Sequence, residues 1–249
     1  MSSSNKPLIV LSRCLAGENV RYDGSNAYDP FVEKLLKYVD IIPVCPEVEI
    51  GLPVPRPKII VVKENGYRVY QPETNRDLTQ PLKDFSYRFL SSLPQIDGFL
   101  LKSKSPSCGF SGTKTYKTPE GKGYIGRRKG LFAMTVKEKF PYHPAADELM
   151  LKDFYKKYIF LTKLYLFFNY RTMENSQFVK KFEDILTLFS KKGTEKFKRN
   201  PIYQNFLRIF SRNIGEKWLN NKIPDFREKI LTSPEYKKYI IFPEELINE

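Results

Sequence analysis

The chain has 249 residues, with 42 Lys or Arg against 28 Asp or Glu and a single His, for a formal charge of +14. That length holds one or two domains, and 19 Phe and 16 Tyr supply bulk for a real core, which excludes a disordered or purely extended protein. No run approaches 18 consecutive apolar residues, so no transmembrane helix is expected; MSSSNKPLIVLSRC lacks the charged and apolar regions of a secretory signal, and the expected location is the cytoplasm.

Residues 7–12 (PLIVLS) predict a short buried strand leading to Cys14. Residues 30–38 (PFVEKLLKY) have apolar residues at helical spacing, with Pro30 at the helix start. Residues 40–44 (DIIPV) predict a second strand, ending at Cys45, and 58–64 with 67–70 predict a hairpin around Asn65-Gly66. A helix is expected over 79–93, a third buried strand over 98–102 leading to Cys108, and a further helix over 130–140. Short apolar strands alternating with helices predict an α/β fold, a Rossmann-like, mostly parallel sheet with helices on both faces.

From about Leu149 the texture changes. Glycine nearly vanishes, and 151–170, 176–192, 202–218 and 225–231 predict helices of a smaller all-α domain whose aromatic stripe reads as bundle core. The expected domains are therefore 1–148 and 149–249, meeting near the HPAAD stretch at 143–147. The first carries 22 basic and 16 acidic residues and the second 20 and 12, net charges of +6 and +8. Positive charge spread over both halves makes a polyanion, most simply nucleic acid, the expected partner.

The cysteines stand far apart, 31 positions from Cys14 to Cys45 and 63 from Cys45 to Cys108, with no C-x-x-C. Spacing alone leaves a metal undecided. Position says more, because each cysteine follows a predicted strand and ligands of open parallel sheets gather beyond the strands' carboxyl ends. Three unrelated buried thiols are the alternative. Glu47 and Glu49 lie just after Cys45, and Ser105 and Ser107 just before Cys108. Such polar groups are expensive to bury without purpose. His143, beside two prolines, reads as structural, which leaves little histidine-based chemistry.

The stretches CLAGENVRYDG, PVCPEVEIGLPVPR and LLKSKSPSCG resemble, in order, the three signature blocks of the TudS-like thiouracil desulfidases, and Gly130-Leu131-Phe132-Ala133 resembles the fourth. Together they span residues 8–142. The C-terminal half is similar to the YbgA-type helical domain on residues 160–164 and on SPEYKKYIIFPEEL at 233–246; the histidines usual in that domain's first block are absent. Fused in this order, the two resemble the RudS-like tRNA desulfidases. The resemblance implies a [4Fe-4S] cluster held by Cys14, Cys45 and Cys108, with one iron left open for want of a fourth cysteine.

It also implies hydrolysis of a C=S bond to C=O without net electron transfer. On that reading Glu49 is the first choice for the water-activating base and Glu47 the second, either being otherwise a salt-bridged carboxylate. Ser105 would hydrogen-bond the substrate or pass a proton, unless it only serves the turn before Pro106, and Ser107 is a weaker candidate. Arg21 and Asp23 either orient the Cys14 loop or form a turn. Lys102 and Lys104 either meet phosphate, tune the cluster or are solvated, and Arg127, Arg128 and Lys129 would steer RNA. The expected substrate is 4-thiouridine in tRNA, whose phosphates need distributed Lys and Arg. The alternatives are a desulfidase of free 2-thiouracil, a small thiolated base, or a non-catalytic RNA-binding iron–sulfur protein. A zinc-binding domain fits the cysteine spacing poorly.

Overall fold

A computed structural model describes residues 5–248. They form two compact units: an α/β unit of residues 8–141 and 145–149, and a helical unit of residues 142–144 and 150–248, to which 5–7 also belong. No helix among the described residues is long and apolar enough to cross a membrane.

The α/β unit runs β1 (Leu8–Ser12), α1 (Pro30–Leu36), β2 (Asp40–Val44), α2 (Pro46–Glu49), β3 (Ile60–Lys63), β4 (Tyr67–Gln71), β5 (Arg76–Asp77), α3 (Thr79–Ser92), β6 (Gly98–Leu101), β7 (Thr113–Tyr116), β8 (Tyr124–Arg128), α4 (Leu131–Lys139) and β9 (Ala145–Asp147). Asp29 starts α1 by accepting the Phe31 and Val32 N–H groups, and Pro30 sits where a missing N–H costs nothing.

One sheet has the order β2-β1-β6-β9, and every neighbouring pair is parallel. Its inner strands LIVLS and GFLL are near-continuous apolar runs because both faces are covered. Val10, Phe99 and Leu101 pack with Phe85 and Leu90 of α3 and Phe132 and Val136 of α4. Ser12 stands opposite Val44, Leu11 opposite Leu100, and Leu101 opposite Asp147. This register brings the carboxyl ends of all four strands to one edge.

The second sheet, β5-β4-β3-β7-β8, is mixed: β3 and β7 are parallel and the other pairs antiparallel. The hairpin at Asn65-Gly66 is present, and both residues have the positive φ that a tight two-residue hairpin turn requires. β7 (TKTY) and β8 (YIGRR) lie outside the sequence expectation. Lys and Arg interrupt them, and three-residue β9 (AAD) has no β-branched residue to announce it.

The helical unit contains α5 (Phe154–Thr172), α6 (Asn175–Arg199), α7 (Tyr203–Ile209), α8 (Glu216–Lys222) and α9 (Phe226–Thr232). The single helix expected over 202–218 is corrected to the two short helices α7 and α8. Between them lies SRNIG, whose Ser and Asn compete for backbone bonds and whose Gly is a poor helix former. The helix expected over 176–192 is longer, but it breaks at Ser190, whose backbone is extended and whose hydroxyl accepts the Gly193 N–H at 3.0 Å. The aromatic stripe is core: Phe178, Phe182, Phe197, Phe206 and Phe210 pack together, and Tyr170 stacks on Phe206 at 4.3 Å.

His143 packs within this unit, 4.7 Å from the Phe167 ring, with its Nε2 3.2 Å from the Tyr203 hydroxyl. Burial, helped by the Lys163 charge, pushes its pKa down to about 4. The unfolded imidazole takes up a proton near pH 6.5 and the folded one only near pH 4, so stability is lost as pH falls through that window. The unfolding free energy should drop by on the order of 2 kcal/mol from this group, allowing for its partial exposure. Urea titrations at pH 7 and pH 4.5 should show a smaller difference for His143→Asn than for the parent chain.

Candidate active site

The four parallel strands deliver chemistry to their shared edge: Arg13 and Cys14 follow β1, Cys45 follows β2, Lys102 and Ser103 follow β6, and Glu148 follows β9. A cavity of about 670 Å³ opens there, and Cys14, Cys45 and Cys108 all line it.

All three thiols are free and buried. Burial, reinforced by Cys45, pushes the Cys14 thiol up to about 12, and the same desolvation raises Cys45 and holds Cys108 well above the ordinary thiol range. Each of Cys14 and Cys108 feels the charge of neighbouring cysteines, which marks the three as one group. In the metal-free chain they are protonated at neutral pH, so loading a metal must release protons.

Among the described residues no three or more His, Cys, Asp or Glu are grouped so as to hold a metal ion. Thiolates sharing one ion lie within about 4 Å of each other, given metal–sulfur bonds near 2.3 Å. A polynuclear cluster binds each thiolate through a different metal atom and spans a wider gap. Three soft thiols around one cavity, with no imidazole among its described lining residues, are the donor type that iron–sulfur clusters use.

The Cys108 loop is fixed by backbone bonds. The Ser105 hydroxyl accepts the Cys108 N–H at 3.1 Å, and the Gly109 N–H reaches the Ser105 carbonyl at 2.8 Å. At the start of α4, Leu131 N–H donates to the Pro106 carbonyl and Phe132 N–H to the Ser107 carbonyl, both at 3.0 Å. Helix N–H groups that would lack partners are thus satisfied by the loop that carries the thiol. A Cβ on Gly130 would lie 2.4 Å from the Ser107 carbonyl oxygen, and one on Gly109 2.4 Å from that of Ser105. Only glycine admits this approach, which is the physical content of the fourth sequence block. The hydroxyl of Ser12 accepts the Lys102 N–H at 2.9 Å.

Among the described residues Glu47 is the single carboxylate lining the cavity. Its Oε2 accepts Arg56 Nε at 2.9 Å and Arg56 Nη2 at 2.8 Å, and its Oε1 accepts the Ser107 hydroxyl at 2.7 Å. Ser107 Oγ lies 3.1 Å from Ser105 Oγ. A hydroxyl has one hydrogen, and that of Ser107 goes to Glu47, so Ser105 donates to Ser107. The chain of donors runs Ser105 to Ser107 to Glu47. Arg56 is itself buried and donates to the Val20 carbonyl at 3.0 Å. Glu49 lies elsewhere: its side chain is 44% exposed, 3.8 Å from Arg13, and outside the cavity lining.

Lys104 and Arg127 line the cavity, whereas Arg128 lies over the Tyr67 ring at 3.1 Å and Lys129 over Phe110 at 4.8 Å. The Tyr22-Asp23-Gly24 turn is held by Asp23, which accepts the N–H and hydroxyl of Ser25. Four contributors escaped the sequence reading: Ser12, Arg56, Glu148 and Lys114. Arg56 was legible as the last residue of PVCPEVEIGLPVPR. Glu148 gave no signal beyond following a three-residue strand; it is buried and accepts from Lys102 Nζ, from the Ser103 N–H at 2.8 Å and from the Ser103 hydroxyl. Among the described residues eight cations line the cavity: Arg13, Arg21, Arg56 and Lys102 are ion-paired with carboxylates, and Lys58, Lys104, Lys114 and Arg127 lie along it as well.

A thiol-lined cleft bordered by cations opens at the carboxyl edge of the parallel sheet, and comparison with known proteins names the family. Residues 9–148 match the family model described as 2-thiouracil desulfurase, and the chain belongs to that family. The uncharacterized protein YbbK of Bacillus subtilis (strain 168) is 28% identical over 128 residues, covering 47% of this chain and 85% of YbbK. The solved structure of the [4Fe-4S]-dependent thiouracil desulfidase TudS shares 26% identity, covers 59% of this chain and 94% of its own, and superposes with a TM-score of 0.45.

Gly130→Ala should drive the Cys108 loop from α4. Overpacking of this kind costs about 2 kcal/mol and lowers Tm by roughly 3–6 °C. Thermal unfolding checks the first effect, and iron bound after anaerobic reconstitution, expected to fall well below the parent value, checks the second.

Proposed function

We propose that the chain is an iron–sulfur-dependent desulfidase that replaces the sulfur of a thiolated uracil with oxygen, acting on 4-thiouridine in tRNA without net redox change. The observation that carries this reading is the convergence of three buried thiols and one arginine-fixed carboxylate on a cavity whose rim also holds Lys58, Lys104, Lys114 and Arg127. Membership of the 2-thiouracil desulfurase family supports it. Cys14, Cys45 and Cys108 would hold a [4Fe-4S] cluster whose fourth iron, lacking a protein thiolate, supplies a soft Lewis acid for thiocarbonyl sulfur.

The protein's own residues handle the water. Ser105 lines the cavity and heads the donor chain, so a water beside it can lose a proton to Ser105 Oγ as Ser105 passes its own to Ser107 and Ser107 passes its own to Glu47. The hydroxide adds to the thiolated carbon, the C–S bond breaks, and the departing sulfide takes a proton back: C=S and water become C=O and hydrogen sulfide. Arg56 fixes Glu47 by two bonds, which keeps Oε1 turned to Ser107. Glu47, rather than Glu49, is therefore the base.

Lys58, Lys104, Lys114 and Arg127, the cavity cations outside its ion pairs, match a nucleotide in a phosphate chain better than a neutral base. The helical region, similar to the YbgA-type domain and carrying a net charge of +8, provides further basic surface for the same RNA. A uridine within folded tRNA must leave its stack to reach the thiols. Such a substrate places the enzyme in the cytoplasm.

The test is anaerobic: purify the chain, quantify iron and acid-labile sulfide, and follow the thiobase absorbance of 4-thiouridine-containing tRNA. About four irons per chain, with loss of that absorbance and release of sulfide, are expected. Cys108→Ala should lose iron and turnover together. Glu47→Gln should keep its iron and lose turnover by about 10²-fold or more, as expected for removal of a general base, whereas Glu49→Gln should retain most of the activity. Iron-loaded protein that releases no sulfide would overturn the reading.

A further inference from the structure

The β7–β8 hairpin has a surface that the desulfidase chemistry does not use. Residues 113–128 hold five basic side chains, Lys114, Lys117, Lys122, Arg127 and Arg128, against one acidic, Glu120. None of Lys114, Lys117, Lys122 and Arg127 has a carboxylate within ion-pair distance among the described residues, although Glu120 feels the Lys122 charge. Lys114 and Arg127 stand directly opposite each other across the two strands. Like charges so placed repel, an arrangement that an anion between or beside them relieves.

Aromatic residues connect the cavity with the outside of the hairpin. Tyr116 lines the cavity, Tyr124 is its cross-strand partner, and their rings meet edge-on at 6.4 Å. The register slips there, leaving Ile125 as an extra residue and re-aiming the strand. Tyr124 is 56% exposed and Ile125 40%. β8 is also the edge strand of its sheet. Basic residues and a bulge on an edge commonly serve only to block strand addition. A large exposed Tyr and Ile on that edge work against such protection and call for a contact of their own.

Single-stranded nucleic acid offers what this surface lacks: phosphates for the cations and π-faces for the tyrosine. We propose that the β7–β8 hairpin is a docking arm for the RNA strand flanking the reacting nucleotide, with Tyr124 stacking an unpaired neighbouring base and Lys117 and Lys122 holding its phosphates. The proposal rests on the desulfidase reading for the identity of the strand. Neither lysine lines the cavity, so the arm acts on the polynucleotide and not on the base that reacts.

The test uses the full chain, prepared anaerobically, as the double variant Lys117→Glu with Lys122→Glu and separately as Tyr124→Ala. Binding of unmodified tRNA is read by fluorescence anisotropy across a salt series, and turnover is read on both thiolated tRNA and 4-thiouridine monophosphate. The charge-reversed variant should bind tRNA about tenfold or more weaker, with a salt slope lower by roughly one to two. Tyr124→Ala should lose about fivefold or more, the stacking worth of one base, and Tyr124→Phe should restore it. Turnover of the mononucleotide should be unchanged in all three. Anisotropy within twofold of the parent, or equal losses on tRNA and mononucleotide, would overturn the docking arm. If the parent chain desulfurates neither substrate, the binding arm of the experiment still decides whether the hairpin docks RNA, and only the chemical reading falls.

Discussion

The site depends on parallel pairing in the β2-β1-β6-β9 sheet. A parallel ladder points all carboxyl ends the same way, and the observed register brings Ser12, Val44, Leu101 and Asp147 to the edge nearly together. The three cysteines beyond these strands, 94 positions apart from first to last, then share one cavity. A one-residue slip in any of these pairings would carry a thiol to the wrong place and turn buried residues such as Ile9 and Leu11 to the other face.

Burying three thiols, a carboxylate and a guanidinium is costly, and the structure meets that cost locally. Arg56 and Glu47 neutralise each other through two hydrogen bonds, and Ser107 fills a further lone pair. Removing one member of such a buried pair costs about 3–5 kcal/mol, because the survivor is left charged and unpaired. Lys102 and Glu148 form a second such pair beside the first sheet. The Cys108 loop is held by α4, whose first N–H groups bind loop carbonyls instead of water. Stability and chemistry therefore draw on the same contacts, and the glycines at 109 and 130 are part of the site although neither has a side chain to offer.

Much of this was legible in the sequence. LIVLS, DIIPV and GFLLK stand out because strands buried on both faces are apolar throughout; the cysteines that follow could be read as converging, with three unrelated buried thiols left as the alternative. Asn65-Gly66 announced its turn through the positive φ it needs. Strands β7, β8 and β9 were not legible, since their residues are polar or small and they are strands only because β3 and β6 lie beside them. The break between α7 and α8 was hidden under a continuous helical pattern of apolar residues. The difference between Glu47 and Glu49 was hidden for a related reason. Two residues apart in a short helical turn they face different ways, and only the positions of Arg56 and Ser107 decide which of them meets the cavity.

The two units differ in fold, and each is basic. The α/β unit places cations where the thiols are, and the helical unit is built on a core rich in aromatics. The most direct test of the central claim follows the oxygen. With iron-loaded protein and thiolated tRNA in ¹⁸O-labelled water, mass spectrometry of the product uridine should find one solvent oxygen for each sulfide released. Sulfur loss without incorporation of solvent oxygen would contradict hydrolysis at this site.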